Sequence, residues 1–300
     1  GIDPSLNKFK KFYNKKIIKI NNFFSKKNLK KNLLSQLKFN LITSFAMFYD
    51  VDDPNSFCKD IKDFLKDDGI WAVEFSYLPL LLKNLTYDQI CHEHVTYYNL
   101  KVFKKIIEKN GLKLLDLRLN EINGGSIQLI CAKKESNHKI NFKKISKTLN
   151  FEKNIGHQSF KRFNSRVEKI KILINNFFNL NSYKSIVGYG ASTKGNIIIN
   201  HCKINNKSLK IICDANENKI NKYTPGSNIK IISKNKMRKL KPDYLFVMIW
   251  SFRKEVIKQE INYIKNGGVL VFPLPRFHLI NSENYKYYLK QNLSSLSYQI

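Results

Sequence analysis

Strand-like and helix-like stretches alternate along the first half of the chain. Apolar residues recur at helical spacing in DDPNSFCKDIKDFLKDDG (residues 52–69) and in NLKVFKKIIEKNG (99–111), and each predicted helix ends at a glycine. Asp53 can cap the first of these helices. Apolar runs favour strands in KKIIKINNFF (15–24), IWAVEFSYL (70–78), LLDLRLN (114–120) and GGSIQLICAKK (124–134), and another apolar run ends at a polar loop in LSQLKFNLITSFAMFYDV (34–51). This alternation predicts a doubly wound α/β domain with an antiparallel pair at its end.

The second half begins with a lysine-rich segment, residues 135–181, whose apolar positions have a helical period and which shows no strand signal. A second α/β unit is predicted from Ser185 onward. Its strands are expected in SIVGYG (185–190), LKIICD (209–214), KPDYLFVMIW (241–250) and GGVLVFPLP (267–275).

Composition narrows the class of protein. A chain of 300 residues with 43% hydrophobic residues predicts two packed domains, because a single core rarely exceeds roughly 250 residues. The 53 basic residues against 23 acidic ones are spread along the chain without a nucleic-acid-binding motif, which favours a solvated basic surface over a nucleic-acid partner. Five cysteines without a CxxC pair fit a reducing cytoplasm, and no apolar run approaches ~18 residues, so no membrane span is expected.

The motif CHEHVTYY (residues 91–98) brings His92, Glu93 and His94 together. Three interpretations are open. Two histidines on one face of a strand bind metals, a polar loop crowds such residues without function, and a histidine beside a carboxylate takes a proton near neutral pH. The residues alone favour acid/base chemistry.

A second motif, GYGASTKG (188–195), follows a strand and opens a helix, where backbone N–H groups favour a phosphate. The third glycine of a dinucleotide fingerprint is missing from this turn, and Asp214 lies at the next strand end, where a ribose-binding acid is expected. A tight turn without a ligand is the alternative. Asp3, in GIDPS, is a further acid at a predicted strand end, with a solvent-facing turn as its alternative.

Several blocks, taken in order, carry a resemblance over nearly the whole chain: FYDVDDP, YDQICHEHVTYYNL, NGGSIQL, GYGASTKGN, CDANENKINKYTPG and GGVLVFPLP. The chain resembles the SAM-dependent C-methyltransferases of nucleotide-linked keto-sugars. The resemblance implies a truncated class I (Rossmann-like) SAM methyltransferase domain over residues 1–140, a helical linker over 141–181, and a Rossmann-like sugar-nucleotide-binding domain over 182–300. Zinc is expected only in a cysteine-rich domain that precedes these residues in the family, together with the glycine-rich SAM loop.

The resemblance also implies roles for individual residues. SAM is expected against Asp3 and the segment from Thr43 to Asp50, with Ser44, Phe45, Tyr49 and Asp50 as contacts. His94 is the expected base, Glu93 its companion, and an enolate oxygen would be held by His92, Tyr97 or Asn123. The nucleotide sugar is expected against Tyr77, Tyr98, Gly188, Gly190, Lys194, Asn196, Asp214 and Tyr223. Relatives carry tyrosine at the position of Cys91 and histidine at those of Asp50 and Asn123.

The expected reaction is removal of a proton beside a sugar ketone, followed by methylation at that carbon. The expected partner is a nucleotide-sugar substrate, with no nucleic acid and no membrane. An NAD-dependent oxidoreductase and a non-catalytic sugar-nucleotide-binding relative are the alternatives. The sequence predicts no oligomeric state.

Overall fold

The computed structural model describes residues 1–9, 12–14, 16–31 and 37–300, which fall into two compact units. The first contains residues 1–75, 98–118 and 127–152, and the second contains 76–97, 119–126 and 153–300. The units interleave along the chain, and the domain boundaries expected after residues 140 and 181 stay a prediction.

The strands, in chain order, are β1 (Phe39–Phe45), β2 (Leu65–Ser76), β3 (Leu112–Asn120), β4 (Ser126–Lys133), β5 (Ile186–Tyr189), β6 (Ile211–Asp214), β7 (Lys230–Ser233), β8 (Tyr244–Val247), β9 (Val269–Phe272) and β10 (His278–Ile280). The helices are α1 (Leu6–Phe9), α2 (Lys26–Lys31), α3 (Pro54–Phe64), α4 (Leu78–Asn84), α5 (Leu100–Lys109), α6 (Phe142–Glu152), α7 (His157–Leu180), α8 (Thr193–His201), α9 (Lys234–Leu240), α10 (Arg253–Gln259), α11 (Ile261–Lys265) and α12 (Tyr285–Lys290).

The sheet of the first unit has the strand order β1-β2-β4-β3, with β1 parallel to β2. An aromatic core packs beside it around Phe48, whose ring centroid lies 5.1 Å from that of Tyr98 and 5.2 Å from that of Phe103. Trp71 and Phe75 of β2 complete this cluster, each with its ring centroid 5.8 Å from that of Phe48. Aromatic burial of this kind is a large source of stabilisation for a small sheet.

Local sequence signals in the first unit gave mixed results. The predicted cap of α3 is confirmed, since the Asp53 carboxylate accepts from the N–H groups of Asn55 and Ser56 at 3.0 Å. The predicted end of that helix at Gly69 is wrong. The helix ends at Phe64, because Leu65 already pairs with Phe39 in the parallel sheet.

The predicted strand over residues 15–24 is also wrong for residues 16–24, while Lys15 lies outside the described residues. Only Ile20 joins a bridge, to Ile2, because the neighbouring groups form short turns. The apolar run over 34–51 forms β1 and a 3-10 turn at Phe48–Asp50, and its residues 34–36 lie outside the described part.

The second unit contains a six-stranded sheet with the order β10-β9-β8-β5-β6-β7. All its neighbouring strands are parallel except β10, which runs antiparallel to β9. The four strands predicted from Ser185 onward are confirmed as β5, β6, β8 and β9, whereas the short strands β7 and β10 were not predicted. The α/β class is confirmed, and helices α6 and α7 occupy the lysine-rich segment, whose linker role stays a prediction.

Among the described residues, no helix combines the length and the hydropathy needed to cross a lipid bilayer.

Candidate functional site

The residues His92, Glu93 and His94 lie on a tight turn in the second unit. The 3-10 helix Tyr87–Gln89 leads into it, and the N–H of His94 donates to the carbonyl oxygen of Cys91 at 3.2 Å. His92 and Glu93 are exposed at the corner, while His94 is partly buried. Because this segment is a turn, the strand geometry assumed for a two-histidine metal site is wrong. No group of three or more potential metal ligands occurs within the described ranges.

The surroundings of His94 favour its neutral form. Burial and the positive charge of Lys194 lower the pKa of His94 below its ordinary 6.5, against the opposing effects of a hydrogen bond at the Gln89 backbone and the Glu93 carboxylate. A histidine with a lowered pKa is uncharged near pH 7 and can accept a proton. The ring of Tyr97 lies with its centroid 6.3 Å from that of His94. Burial raises the pKa of Tyr97, so its hydroxyl remains protonated and donates to the Gln89 carbonyl oxygen at 3.3 Å.

Lys194 connects the glycine-rich turn to Asn123. Its ammonium donates to the side-chain oxygen of Asn123 at 3.1 Å and to the carbonyl oxygen of the same residue at 3.4 Å. The side-chain amide of Gln89 donates to that carbonyl oxygen at 2.7 Å. Asn123 adopts a left-handed conformation, with φ at 57°, that asparagine tolerates better than most residues. Three segments distant in sequence therefore meet at Asn123.

A buried carboxylate, Asp88, lies beside this group. The indole N–H of Trp250 donates to one oxygen of Asp88 at 2.8 Å across 162 residues of sequence. Burial raises the pKa of Asp88 to about 6, although the Lys194 charge and the Trp250 hydrogen bond both oppose the rise. Sequence analysis missed Asp88, Gln89 and Trp250. The only local signal for the first two was their polarity, one residue before CHEH, and no spacing connects Trp250 with them.

Several buried polar atoms near this group lack a hydrogen-bond partner among the described residues. They are Thr86 Oγ1, Asp88 Oδ1, Gln89 Oε1 and Asn196 Oδ1. Helix α8, which carries Asn196, packs against the 3-10 helix Tyr87–Gln89. Unpaired buried polar atoms cost stability and are rare in folded proteins, so this concentration indicates a site that binds a polar ligand.

The glycine-rich turn is held mainly by the protein itself. Asp214 accepts from the N–H groups of Ala191 and Asn216, both at 2.8 Å, and Lys219 donates to the Ala191 carbonyl oxygen at 2.8 Å. A Cβ on Gly190, with φ at 92°, would approach Ile249 to 2.6 Å, and one on Gly188 would approach Ile212 to 2.6 Å. Close packing therefore explains both glycines, and the ligand roles of Gly188, Gly190 and Asp214 stay predictions.

The tyrosines assigned to substrate lie in different environments. Tyr77 is buried at the start of α4, and Tyr98 is buried in the aromatic core around Phe48. Tyr223 is exposed beside an isolated bridge to Lys230. The substrate contacts of all three tyrosines stay predictions.

A separate groove of about 670 Å³ lies in the first unit and is the candidate SAM site. Asp3 and residues 43–47 line it, together with apolar side chains from the first two helices and β1. One oxygen of Asp3 accepts from Ser5, Ser44 accepts from the Trp71 indole at 3.1 Å, and Phe45 is half-exposed. Tyr49 is buried and Asp50 exposed nearby in sequence. An acid and an apolar wall beyond the end of a parallel strand suit a nucleoside.

Residues 121–275 match the family model of the C-methyltransferase C-terminal domain, and residues 1–117 match a methyltransferase domain. A C-methyltransferase of Streptomyces niveus, NovU, is 28% identical over 249 residues, which is 81% of this chain. The chain spans 59% of that relative's length.

Two solved structures also match, described as a pericyclic reaction enzyme and as LepI in complex with SAM. They are 11% and 10% identical, and each match covers 32% of this chain and 27% of the other chain. With a TM-score of 0.28 in both cases, neither structure carries an argument about this chain.

Proposed function

We propose a function for this chain, which belongs to the C-methyltransferase family whose C-terminal domain matches residues 121–275. In this proposal the protein transfers a methyl group from SAM to a carbon beside the ketone of a nucleotide-linked sugar. The observation that carries this proposal is His94. It is a partly buried histidine whose pKa is lowered by burial and by the charge of Lys194, and the ring centroid of Tyr97 lies 6.3 Å from its own.

Methylation at carbon needs a carbanion equivalent, and the C–H bond beside a ketone is the most accessible source. In the proposed mechanism His94 removes this proton as a general base. Glu93 lies at the exposed corner of the turn, and its negative charge favours the protonated form of His94 that results. Tyr97, Asn123 and His92 are the donors proposed for the enolate oxygen.

Bound SAM supplies an electrophilic methyl group. The residues that line the groove of the first unit fit this group in chemistry: the second carboxylate oxygen of Asp3 can accept a ribose hydroxyl, and the apolar wall can cover an adenine face. Thr43, Ser44 and Phe45, at the end of β1, are the further contacts proposed for it.

For the sugar nucleotide we propose the second unit. The glycine-rich turn at residues 188–195 opens α8, and Asn196, whose side-chain oxygen has no hydrogen-bond partner among the described residues, lies near the start of that helix. A diphosphate next to the start of a helix is favoured by free backbone N–H groups and the helix dipole. Asp214 and Tyr223 complete the proposed binding surface.

The test is methyl transfer by the complete protein from SAM carrying a ¹³C methyl group to thymidine-diphosphate-linked 4-keto-6-deoxyglucose. We expect a ¹³C methyl signal coupled to a sugar-ring carbon. The same nucleotide sugar with its ketone reduced to an alcohol is the matched control, and it should remain unmethylated because its C–H bonds are not acidic.

Transfer to oxygen or nitrogen, or equal transfer to the reduced sugar, would contradict the proposal. A shift in melting temperature with S-adenosylhomocysteine but not with NAD is the supporting binding result, because only a ligand of the folded state raises that temperature. The opposite pattern would support a nicotinamide-dependent oxidoreductase.

A further inference from the structure

The ammonium group of Lys194 lies at the centre of the candidate site. It interacts electrostatically with Asp88, with Cys91 and with His94, and it donates to both oxygens of Asn123. We infer that Lys194 is a catalytic residue, the cation that stabilises the enolate oxygen formed when His94 takes the proton, and that Asp88 positions this cation. The inference rests on the proposed function and adds the group that receives the developing negative charge.

The hydrogen bonding of Lys194 leaves room for a ligand. An ammonium group has three donors, and two of them are directed at Asn123. One of these bonds, at 3.4 Å, is long, and no third acceptor is hydrogen-bonded to Lys194 in the part of the chain that the structure describes. A ligand oxygen can therefore bind this ammonium group without displacing a strong protein contact.

The position of Lys194 fits a catalytic cation better than a diphosphate ligand. Burial lowers its pKa, against the charge of Asp88, which raises it. A buried ammonium acts in a medium of low effective dielectric, where its attraction for a new negative charge is stronger than at the surface. A lysine that only neutralises diphosphate gains little from such burial and would more commonly lie at an exposed rim.

Asp88 has the features of a positioning residue. It is almost fully buried, one oxygen accepts from Trp250, and the other has no hydrogen-bond partner among the described residues. A half-satisfied buried carboxylate costs stability, which is more easily explained by a role at a site than by a role in the fold. Its charge opposes the loss of the proton from Lys194, so the lysine remains a cation.

The charges in the proposed step balance within the site. The C–H bond beside the ketone breaks as the His94 ring nitrogen takes the proton. Its electron pair forms the carbon–carbon double bond, and the carbonyl π electrons move to the oxygen. The new oxyanion is paired with the Lys194 ammonium, while the imidazolium of His94 faces Glu93 on its own turn and the Lys194 charge on α8. The positive charge on Lys194 lowers the pKa of His94, so it also keeps the base neutral before the substrate binds.

The decisive variant is Lys194→Met, measured with the complete protein and the thymidine-diphosphate 4-keto sugar. We expect kcat to fall about 100-fold to 1,000-fold, the usual effect of removing one oxyanion donor, with KM and nucleotide-sugar affinity changed less than about threefold. Lys194→Arg should restore part of the rate because it restores the charge. Lys234→Met is the matched control, since Lys234 also donates to a side-chain amide oxygen, that of Gln259, outside this group.

Asp88→Asn tests the positioning role. Removing the Asp88 charge should lower the pKa of Lys194 and move the basic limb of the kcat–pH profile to lower pH, which a merely structural residue would not do. Circular dichroism and thermal melts identify variants that fail to fold. If Lys194→Met is unfolded, the kcat–pH profiles of Lys194→Arg and the wild-type protein remain decisive. The guanidinium group of arginine stays charged at high pH, so the basic limb of the profile should disappear in Lys194→Arg.

If Lys194→Met has the wild-type kcat but binds the sugar nucleotide much more weakly, the inference is overturned and Lys194 is assigned to the diphosphate. Unchanged kinetics would also overturn it. A measurement without substrate distinguishes failure of the inference from failure of the proposed function. In an NMR titration, with the His94 signal assigned by His94→Gln, the pKa of His94 should be higher in Lys194→Met than in the wild-type protein. If the wild-type protein methylates no keto sugar but His94 shifts as expected, the proposed function fails; an unshifted His94 in an active enzyme contradicts the inference alone.

Discussion

The three ionisable residues His92, Glu93 and His94 of CHEH are not equivalent. His92 and Glu93 occupy the exposed corner of a turn, whereas His94 points back to Tyr97 and the Lys194 charge. The sequence predicted that His94 is the base through a family resemblance. It could not predict the cause of its neutrality, because Lys194 lies 100 residues further along the chain.

The lowered pKa of His94 predicts the pH dependence of catalysis. The base works only when unprotonated, so kcat/KM should fall as pH drops through the His94 pKa, and the acidic limb should lie below pH 6.5. Lys194→Met removes a charge that lowers this pKa, so its residual activity should show the limb at higher pH. The measurement is kcat/KM for the keto-sugar nucleotide across the pH range.

Asp88, with its pKa raised to about 6, titrates in the same range and needs its own control. The acidic limb should persist in Asp88→Asn, because His94 remains. A limb that disappears in this variant would assign the titration to Asp88 and count against His94 as the base.

Among the elements, the turn that follows β3 is the one on which the site most depends. Asn123, Gly124 and Gly125 have φ values of 57°, 89° and 141°. A Cβ on Gly124 would approach the Trp250 ring to 2.6 Å and the Thr86 methyl group to 2.7 Å. The NGGS motif therefore packs tightly between two side chains. One is Trp250, which donates to Asp88, and the other is Thr86, directly before the 3-10 helix Tyr87–Gln89.

Gly124→Ala should destabilise the protein by about 2–4 kcal/mol, of which about 1 kcal/mol is backbone strain and the rest overpacking. Gly267→Ala is the control: it has φ at 91° and nothing within 4 Å of the added Cβ, so it should show only the strain, about 1 kcal/mol. Urea denaturation measures both. Equal losses in the two variants would mean that the Trp250 contact does not constrain the turn.

Elements with strong local signals were predicted well. Asp53 caps α3 as predicted, and β5 with the glycine turn and α8 follows the predicted order. The errors arose where pairing overrides local propensity. Strand β2 takes Leu65 from the end of the predicted helix, and β7 and β10 have only four and three residues, too short for a periodic signal.

At the scale of the whole molecule, the family predicted from ordered motifs is confirmed by the family models over residues 1–117 and 121–275. The α/β class was predictable because strand and helix periods differ clearly in this sequence. The contact between Asp88 and Trp250 was not, because nothing local marks a hydrogen bond that spans 162 residues. The residues of the candidate site in the second unit were therefore only partly predictable from the sequence.

We propose that His94 removes a proton beside the sugar ketone. Its most direct test is hydrogen–deuterium exchange at that carbon in D₂O, followed by NMR on the thymidine-diphosphate 4-keto sugar with S-adenosylhomocysteine present and no methyl donor. The wild-type protein should exchange the proton well above the protein-free rate, and His94→Gln at least about 100-fold more slowly, with His138→Gln unchanged. Exchange by His94→Gln at the wild-type rate would contradict the account.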